Sequence, residues 1–241
     1  MQLKEAAILI VEDEPMLLEI TAEWFQDLAG KVLTATNGAE ALALMERERV
    51  NAILTDVRMP VMDGVALLKA IKSMGTYTPG VIFVSGFSDV GPREALALGA
   101  EATMSKPVNR KELIQTVQRI LTDKLELWSQ PDDKEPGVPL KQTLSSASQA
   151  ISSGEISFGR GGFCLQTARG LSTSRLNLNL EFTADSKILA GTGIVRWEDP
   201  RDMKAGIEIM HLEESCRRWV YELTQRHGNG AFIPGDTVRT L

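Results

Sequence analysis

Ile53-Leu54-Thr55-Asp56-Val57-Arg58-Met59-Pro60-Val61-Met62-Asp63-Gly64 moves from an apolar run, through a carboxylate, into a proline-bearing loop and out at a glycine. The run Asn51–Thr55 lacks polar alternation, which is the pattern of a strand buried on both faces. Gly64 opens an amphipathic stretch over 64–74 and closes the loop after Asp63, and Met59-Pro60 reads as loop geometry. The same unit repeats on both sides. Ala6–Val11, Lys31–Thr36, Gly80–Val84 and Ala102–Ser105 are further Ile/Val/Leu-rich runs, and helical patterns at 15–29, 38–48, 91–98 and from 109 onward separate them. Repeated βα units predict a doubly wound α/β domain with a five-stranded parallel sheet over residues 1–121. In such sheets ligands lie outside the carboxyl ends of the strands.

The residues just past each run form one chemical set. Glu12 and Asp13 follow the first strand, Asp56 ends the third, Ser85 and Gly86 follow the fourth, and Lys106-Pro107 follows the fifth. Taken singly, each has a bland reading. The acids 12–14 could decorate the positive end of a helix starting at Pro15, Asp56 could be a turn residue, and Lys106 could be a surface charge. Together, crowded carboxylates repel unless a cation neutralises them, and an all-oxygen set suits a hard ion such as Mg²⁺.

On these residues, 1–121 resembles the receiver domain of two-component response regulators. The likeness rests on the acidic pair Glu12-Asp13, on Asp56 within Asp56-Val57-Arg58-Met59-Pro60-Val61-Met62-Asp63-Gly64, on Ser85 and on Lys106-Pro107. The resemblance implies phosphorylation of Asp56 by a sensor histidine kinase, a phosphotransfer protein or a small acyl phosphate. It further implies Mg²⁺ held by Asp13, Asp56 and the backbone carbonyl of Arg58, with Glu12 acting through a metal-bound water. Lys106 would pair with one phosphoryl oxygen, and Ser85 would donate to another and draw its loop inward. One departure is Thr103, which stands where the family usually has an aromatic residue. The aromatic readout of phosphorylation is therefore absent, and the Ser85-Gly86-Phe87 loop or the last helix is left to carry the signal.

Net charge excludes some functions. The chain's −6 is shared between both halves: 12 Lys/Arg against 16 Asp/Glu in residues 1–121, and 14 against 16 in 122–241. Neither half offers the basic surface that DNA binding requires. Cys164 and Cys216 lack zinc spacing and are too few for a disulfide framework, so they read as small packing residues. The six apolar residues Ala6–Val11 end at Glu12, too short for a signal peptide or a membrane span. A cytoplasmic protein without membrane insertion is expected.

The helix from Asn109 carries Leu113, Ile114, Val117, Ile120, Leu121 and Leu125 at helical spacing and runs on to Trp128 before Pro131. Two uses stay open: a frayed end with its Trp packed on its own domain, or a protruding helix that docks the second domain or forms a homodimer. Residues 122–150 read as this helix end plus a Pro- and Ser-bearing linker. Beyond it, Leu176, Leu178, Leu180 and Phe182 alternate with polar residues. Ile151–Phe158, Gly162–Thr167, Lys187–Trp197 and Met203–His211 are further strands, and an amphipathic helix covers about 213–226. The expectation is a small antiparallel β-barrel with a C-terminal helix over 151–227, followed by a tail at 228–241.

This half resembles a PilZ domain through Ser157-Phe158-Gly159-Arg160-Gly161-Gly162-Phe163-Cys164-Leu165, Gly193-Ile194-Val195-Arg196-Trp197 and Ala205-Gly206-Ile207-Glu208-Ile209. The family is known for binding cyclic di-GMP through an R-x-x-x-R segment and a [DN]-x-S-x-x-G turn, and both are altered. No arginine lies between Arg119 and Arg160, where the segment before the barrel offers only Lys134 and Lys141, and Ser157 and Gly159 replace the turn's acid or amide and its serine. A lone lysine does not reproduce a bidentate guanidinium, so cyclic di-GMP binding is not expected. Arg160 reads as a solvated turn charge. No acid/base or nucleophile constellation marks this half as an enzyme, so output through an unidentified protein partner is expected. The alternative is a cyclic di-GMP effector tuned by receiver phosphorylation.

Overall fold

Two units make up the chain in the computed structural model, Met1–Asp123 and Lys124–Leu241. The described residues are 1–74, 79–86, 90–132, 137–167, 171, 175–227 and 230–235. The first unit begins with a 3-10 turn at Leu3–Glu5. It continues as β1 (Ala7–Val11), α1 (Pro15–Gln26), β2 (Lys31–Ala35), α2 (Gly38–Met45), β3 (Ala52–Asp56) and α3 (Gly64–Ser73), then β4 (Gly80–Ser85), α4 (Pro92–Leu98), β5 (Ala102–Ser105) and α5 (Arg110–Leu121). The sheet order is β2-β1-β3-β4-β5, all parallel, as the repeated βα pattern predicts.

Strand periodicity of two sorts the core into two layers. Leu9, Val11, Ile53, Val81 and Phe83 pack on one face with Leu67, Leu68 and Ile71 of α3 and Ala95 of α4. Ile8, Ile10, Ala52, Leu54 and Ile82 pack on the other with Phe25 of α1 and Leu113, Val117 and Leu121 of α5. Each fully buried side chain of this size contributes roughly 1.5–3 kcal/mol. Three of these five helices start on side-chain caps: Asn37 accepts from the amides of Ala39 and Glu40, Asp63 from Ala66, and Asn109 from Glu112. These caps satisfy amide donors that a helix start leaves over.

The second unit corrects four expectations. The helix after Asn109 does not continue to Trp128. It stops at Leu121, Thr122 is extended with ψ 134°, and a separate α6 spans Lys124–Ser129. Trp128 is fully buried in the second unit's core, edge-on to Tyr221 with ring centroids 6.4 Å apart. Trp128 is therefore a core residue of the second unit and extends no exposed stripe. Residues 122–150 are likewise more than a linker, for they supply α6, β6 (Val138–Leu144) and most of α7 (Ala147–Ser152).

The remaining strands are β7 (Ile156–Phe158), β8 (Gly162–Gln166), β9 (Arg175–Phe182), β10 (Lys187–Asp199) and β11 (Lys204–Leu212), followed by α8 (Glu214–His227). Among the described residues they form a six-stranded sheet in the order β6-β9-β10-β11-β8-β7, and no pairing joins its two edges. The expected antiparallel barrel is, among the described residues, a half-barrel of mixed sense: β6 pairs with β9 in parallel, and Gln142 of β6 reaches across to donate to Gln166 O of β8 at 3.2 Å. The sequence signal for β6 is weak because its exposed residues and Pro139 break the apolar pattern. Leu176, Leu178, Leu180 and Phe182 all point into the core, where Trp219 of α8 stacks edge-on against Phe182 at 5.2 Å. The expected tail is also partly built in, since Ala231, Phe232 and Ile233 are buried.

Candidate functional site

A parallel sheet brings every strand's carboxyl end to one edge, and the register fixes which ends are neighbours. Val11 pairs with Thr55, Asp56 with Val84, and Ser85 with Ser105. Glu12, Asp13, Asp56, Ser85 and Lys106 therefore converge from four adjacent strands although Lys106 lies 94 residues from Glu12. Carboxylate oxygens of Glu12, Asp13 and Asp56 lie within 4.8 Å of one another. Lys106 Nζ is 2.5 Å from Asp56 Oδ2 and 3.0 and 2.9 Å from the two oxygens of Glu12. The Arg58 amide donates to Asp56 Oδ1 at 3.1 Å, so both oxygens of Asp56 are engaged from opposite sides.

The loop behind Asp56 is held from below. Gly64 N–H donates to Val57 O at 2.9 Å, and a Cβ at Gly64 would run into the Asp56 carbonyl oxygen. That close approach is what glycine supplies there. Ser85 is buried, and its carbonyl accepts from the Lys106 amide at 2.9 Å, which ties two site residues through the backbone. Asp13, Arg58, Met59, Pro60, Asp63 and Glu94 line a cleft of about 650 Å³ in front of the acids.

Burial pushes the Glu12 carboxyl above its usual range, although the Lys106 hydrogen bond pulls against it. For Lys106 burial favours the neutral amine, but the hydrogen bonds and charges of Asp56 and Glu12 outweigh it and raise the ammonium pKa. Three carboxylates facing one ammonium carry a formal −2 between them, and their oxygens form a set that suits a hard divalent cation. The residues thus fit Mg²⁺.

Thr103 is half-buried on β5 opposite Phe83. Phe87 and Lys134 lie outside the described residues. In the second unit the altered turn falls between β7 and β8, and the Arg160 amide donates to Ala231 O at 2.9 Å. Two ion pairs escaped the sequence: Arg196 Nε donates to Glu208 Oε2 at 2.6 Å, and Arg175 pairs with Asp132, which also accepts from Thr192. The partners are 12 and 43 residues apart without regular spacing: Arg196 and Glu208 meet across β10 and β11, whereas Asp132 lies ahead of β6, outside any strand. Among the described residues, no helix is long and apolar enough to cross a membrane.

Residues 8–118 match the family described as the response regulator receiver domain. The chain is 33% identical over 117 residues to the transcriptional regulatory protein CrdR of Helicobacter pylori, a match covering 48% of this chain and 55% of that protein. It is 32% identical over 119 residues to an uncharacterized 14.6 kDa protein of Leptolyngbya boryana, covering 48% of this chain and 91% of the relative. Among solved structures, the chemotaxis response regulator CheY4 of Vibrio cholerae shares 32% identity over 48% of this chain and 98% of its own, with a TM-score of 0.44. The chain spans about half of CrdR's length and 27% of that of the Escherichia coli regulator GlrR.

Proposed function

Since residues 8–118 place this chain in the response regulator receiver family, we propose that it is a cytoplasmic response regulator that takes a phosphoryl group on Asp56 from a sensor histidine kinase or a phosphotransfer protein. The observation that carries this is the set at the sheet edge: Asp56 at the end of the central strand, two further carboxylates within 4.8 Å and Lys106 at 2.5 Å. Asp13, Asp56 and the Arg58 carbonyl would hold Mg²⁺, with Glu12 reaching it through a water. When bound, Mg²⁺ offsets negative charge on the phosphoryl oxygens.

An oxygen of Asp56 attacks phosphorus in line. The new P–O bond forms as the P–N bond of a phosphohistidine, or the P–O bond of an acyl phosphate, breaks, and the electron pair leaves with the imidazole or carboxylate. Lys106 must then exchange the Asp56 carboxylate for a phosphoryl oxygen, keeping a charge-assisted hydrogen bond throughout. Ser85, one strand over, donates to another phosphoryl oxygen, and its loop follows. That displacement is the switch. Incubation with acetyl phosphate and Mg²⁺, read by intact mass and peptide mapping, tests the assignment. Label on Asp56 is expected, and label elsewhere or none overturns it.

For the second unit we infer a PilZ-like output module that acts by protein contact and has no catalytic step of its own. Supporting this, its three resembling segments fall on β7–β8, β10 and β11, which lie side by side in the sheet. Cyclic di-GMP should bind weakly or not at all, because losing charged hydrogen bonds costs about 1.5–3 kcal/mol each and the arginine pair is missing. In a calorimetric titration, a Kd below about 1 μM, or roughly −8 kcal/mol, would promote the alternative of a second-messenger effector tuned by phosphorylation.

A further inference from the structure

The turn between β7 and β8 carries Gly159 and Gly161, and β8 opens on Gly162. Neither Gly159 nor Gly161 has a positive φ, so the backbone conformation does not demand glycine at either place. Space does. A Cβ at Gly159 would lie 2.6 Å from the Phe232 carbonyl oxygen and 2.9 Å from Pro234 Cδ, and one at Gly161 would fall inside the Phe232 ring. The turn is cut to fit residues 231–234. Successive amides read successive carbonyls there: Arg160 N–H donates to Ala231 O and Gly161 N–H to Phe232 O, both at 2.9 Å. Lys124 Nζ stands 5.0 Å from the centroid of the Phe232 ring, within cation–π range.

Ala231, Phe232 and Ile233 are 3%, 2% and 0% exposed, yet none of them belongs to the contiguous core that the sheet shares with Trp128 and α8. They pack against the β7–β8 turn, where Phe232 and Pro234 meet Gly159 and Phe232 meets Gly161. The segment enters it through Gly230, whose φ of +83° is open to glycine at little cost.

We propose that the β7–β8 turn is a peptide socket and that residues 231–234 are its resident, exchangeable occupant. The partner that fits is an extended, uncharged segment that offers two consecutive carbonyls and an aromatic ring. While its own segment is seated, the second unit withholds this surface, and a partner must displace the segment to dock. This goes beyond the phosphoacceptor chemistry and does not rest on it.

The test uses the full chain and a fluorescent peptide of residues 228–241, followed by anisotropy. Phe232→Ala empties the aromatic compartment in cis, and that chain should bind the peptide saturably. The wild-type chain, whose socket is open only a small fraction of the time, should bind it at least about tenfold more weakly. The double variant Gly161→Ala, Phe232→Ala should not bind, because the added Cβ occupies the ring's place. Equal affinity for all three chains, or no binding to Phe232→Ala, overturns the proposal. So does loss of the second unit's cooperative melting in Phe232→Ala, because the segment would then be a permanent part of the fold.

Discussion

Each unit of this molecule holds buried carboxylates against cations, and the two sets differ in their balance. In the first, Glu12 and Asp56 share Lys106, with Asp13 beside them. In the second, Glu208 has the guanidinium of Arg196 and Asp132 has that of Arg175. A matched pair is closed: its charge is answered inside the protein, and Arg196–Glu208 ties β10 to β11. An excess of carboxylate at the carboxyl end of a sheet is unfinished, and a divalent cation can finish it. Buried charge alone therefore does not mark a site, whereas the remainder after pairing does.

The sharpest way to break this contrast is to remove Asp56, the proposed nucleophile. Asp56→Asn keeps the shape and the Arg58 amide contact but abolishes attack on phosphorus. Phosphoryl uptake from acetyl phosphate should fall to background by intact mass, while circular dichroism of the whole chain stays unchanged. Residual labelling of the variant on another carboxylate would mean that the unfinished set is wider than Asp56.

The matched pair should fail differently. Arg196→Met takes from Glu208, whose side chain is 4% exposed, a guanidinium that is itself 35% exposed, so the loss should fall below the roughly 3–5 kcal/mol of breaking a fully buried pair. The second unit's thermal transition should drop accordingly, and Asp56 labelling should be untouched. Replacing both partners, Arg196→Met with Glu208→Leu, should recover most of the loss, since a buried pair is often no better than well-packed apolar residues. If the single variant melts like wild type, the pair is solvated and the comparison loses one side.

How far each set was legible in the sequence follows from where its residues stand. Glu12, Asp13, Asp56, Ser85 and Lys106 each follow an apolar run, and parallel topology sends all such ends to one edge, so a linear reading reached a three-dimensional site. Nothing of the kind reaches Asp132, which lies in the stretch read as linker, or Phe232, in the stretch read as tail. Their places depend on β6 joining β9 in parallel and on a turn fitted to a distant segment. Trp128 misled for the same reason. Its spacing continues the stripe of α5, and only the extended Thr122 shows that the stripe is cut and the indole belongs to the other core.

Asp13→Ala should separate the units again. It removes a ligand and a repelling charge together, so Mg²⁺ affinity should fall by roughly ten- to a hundredfold, the scale of losing a metal-site group. Without metal the first unit should melt at the same or a slightly higher temperature. Saturating Mg²⁺ should raise only the first unit's transition in the wild type, by linkage, and leave the second unit's unchanged. Unaltered Mg²⁺ affinity in the variant would remove Asp13 from the ligand set.

The smallest effect concerns Glu12 and pH. Its carboxyl is raised above 4.5, chiefly by burial, so the folded state holds this proton more tightly than the unfolded chain does. The stability that this contributes is fully present below pH 4.5 and is lost as pH rises through the folded value. At neutral pH, with no metal bound, ionised Glu12 is thus a cost to the fold. Glu12→Gln keeps a side chain that Lys106 can still reach and removes that cost, so the metal-free first unit should gain stability at pH 7. The gain should stay under about 1 kcal/mol, because Glu12→Gln also gives up the Lys106 charge pair that offsets part of the burial cost. The advantage should shrink as pH falls towards 4.5 and vanish below it, where wild-type Glu12 is protonated as well. Melting curves of both proteins without metal across that range decide it. A variant less stable than wild type at pH 7 would mean that the Lys106 ion pair outweighs burial, and that Glu12 belongs with the matched pairs of the second unit.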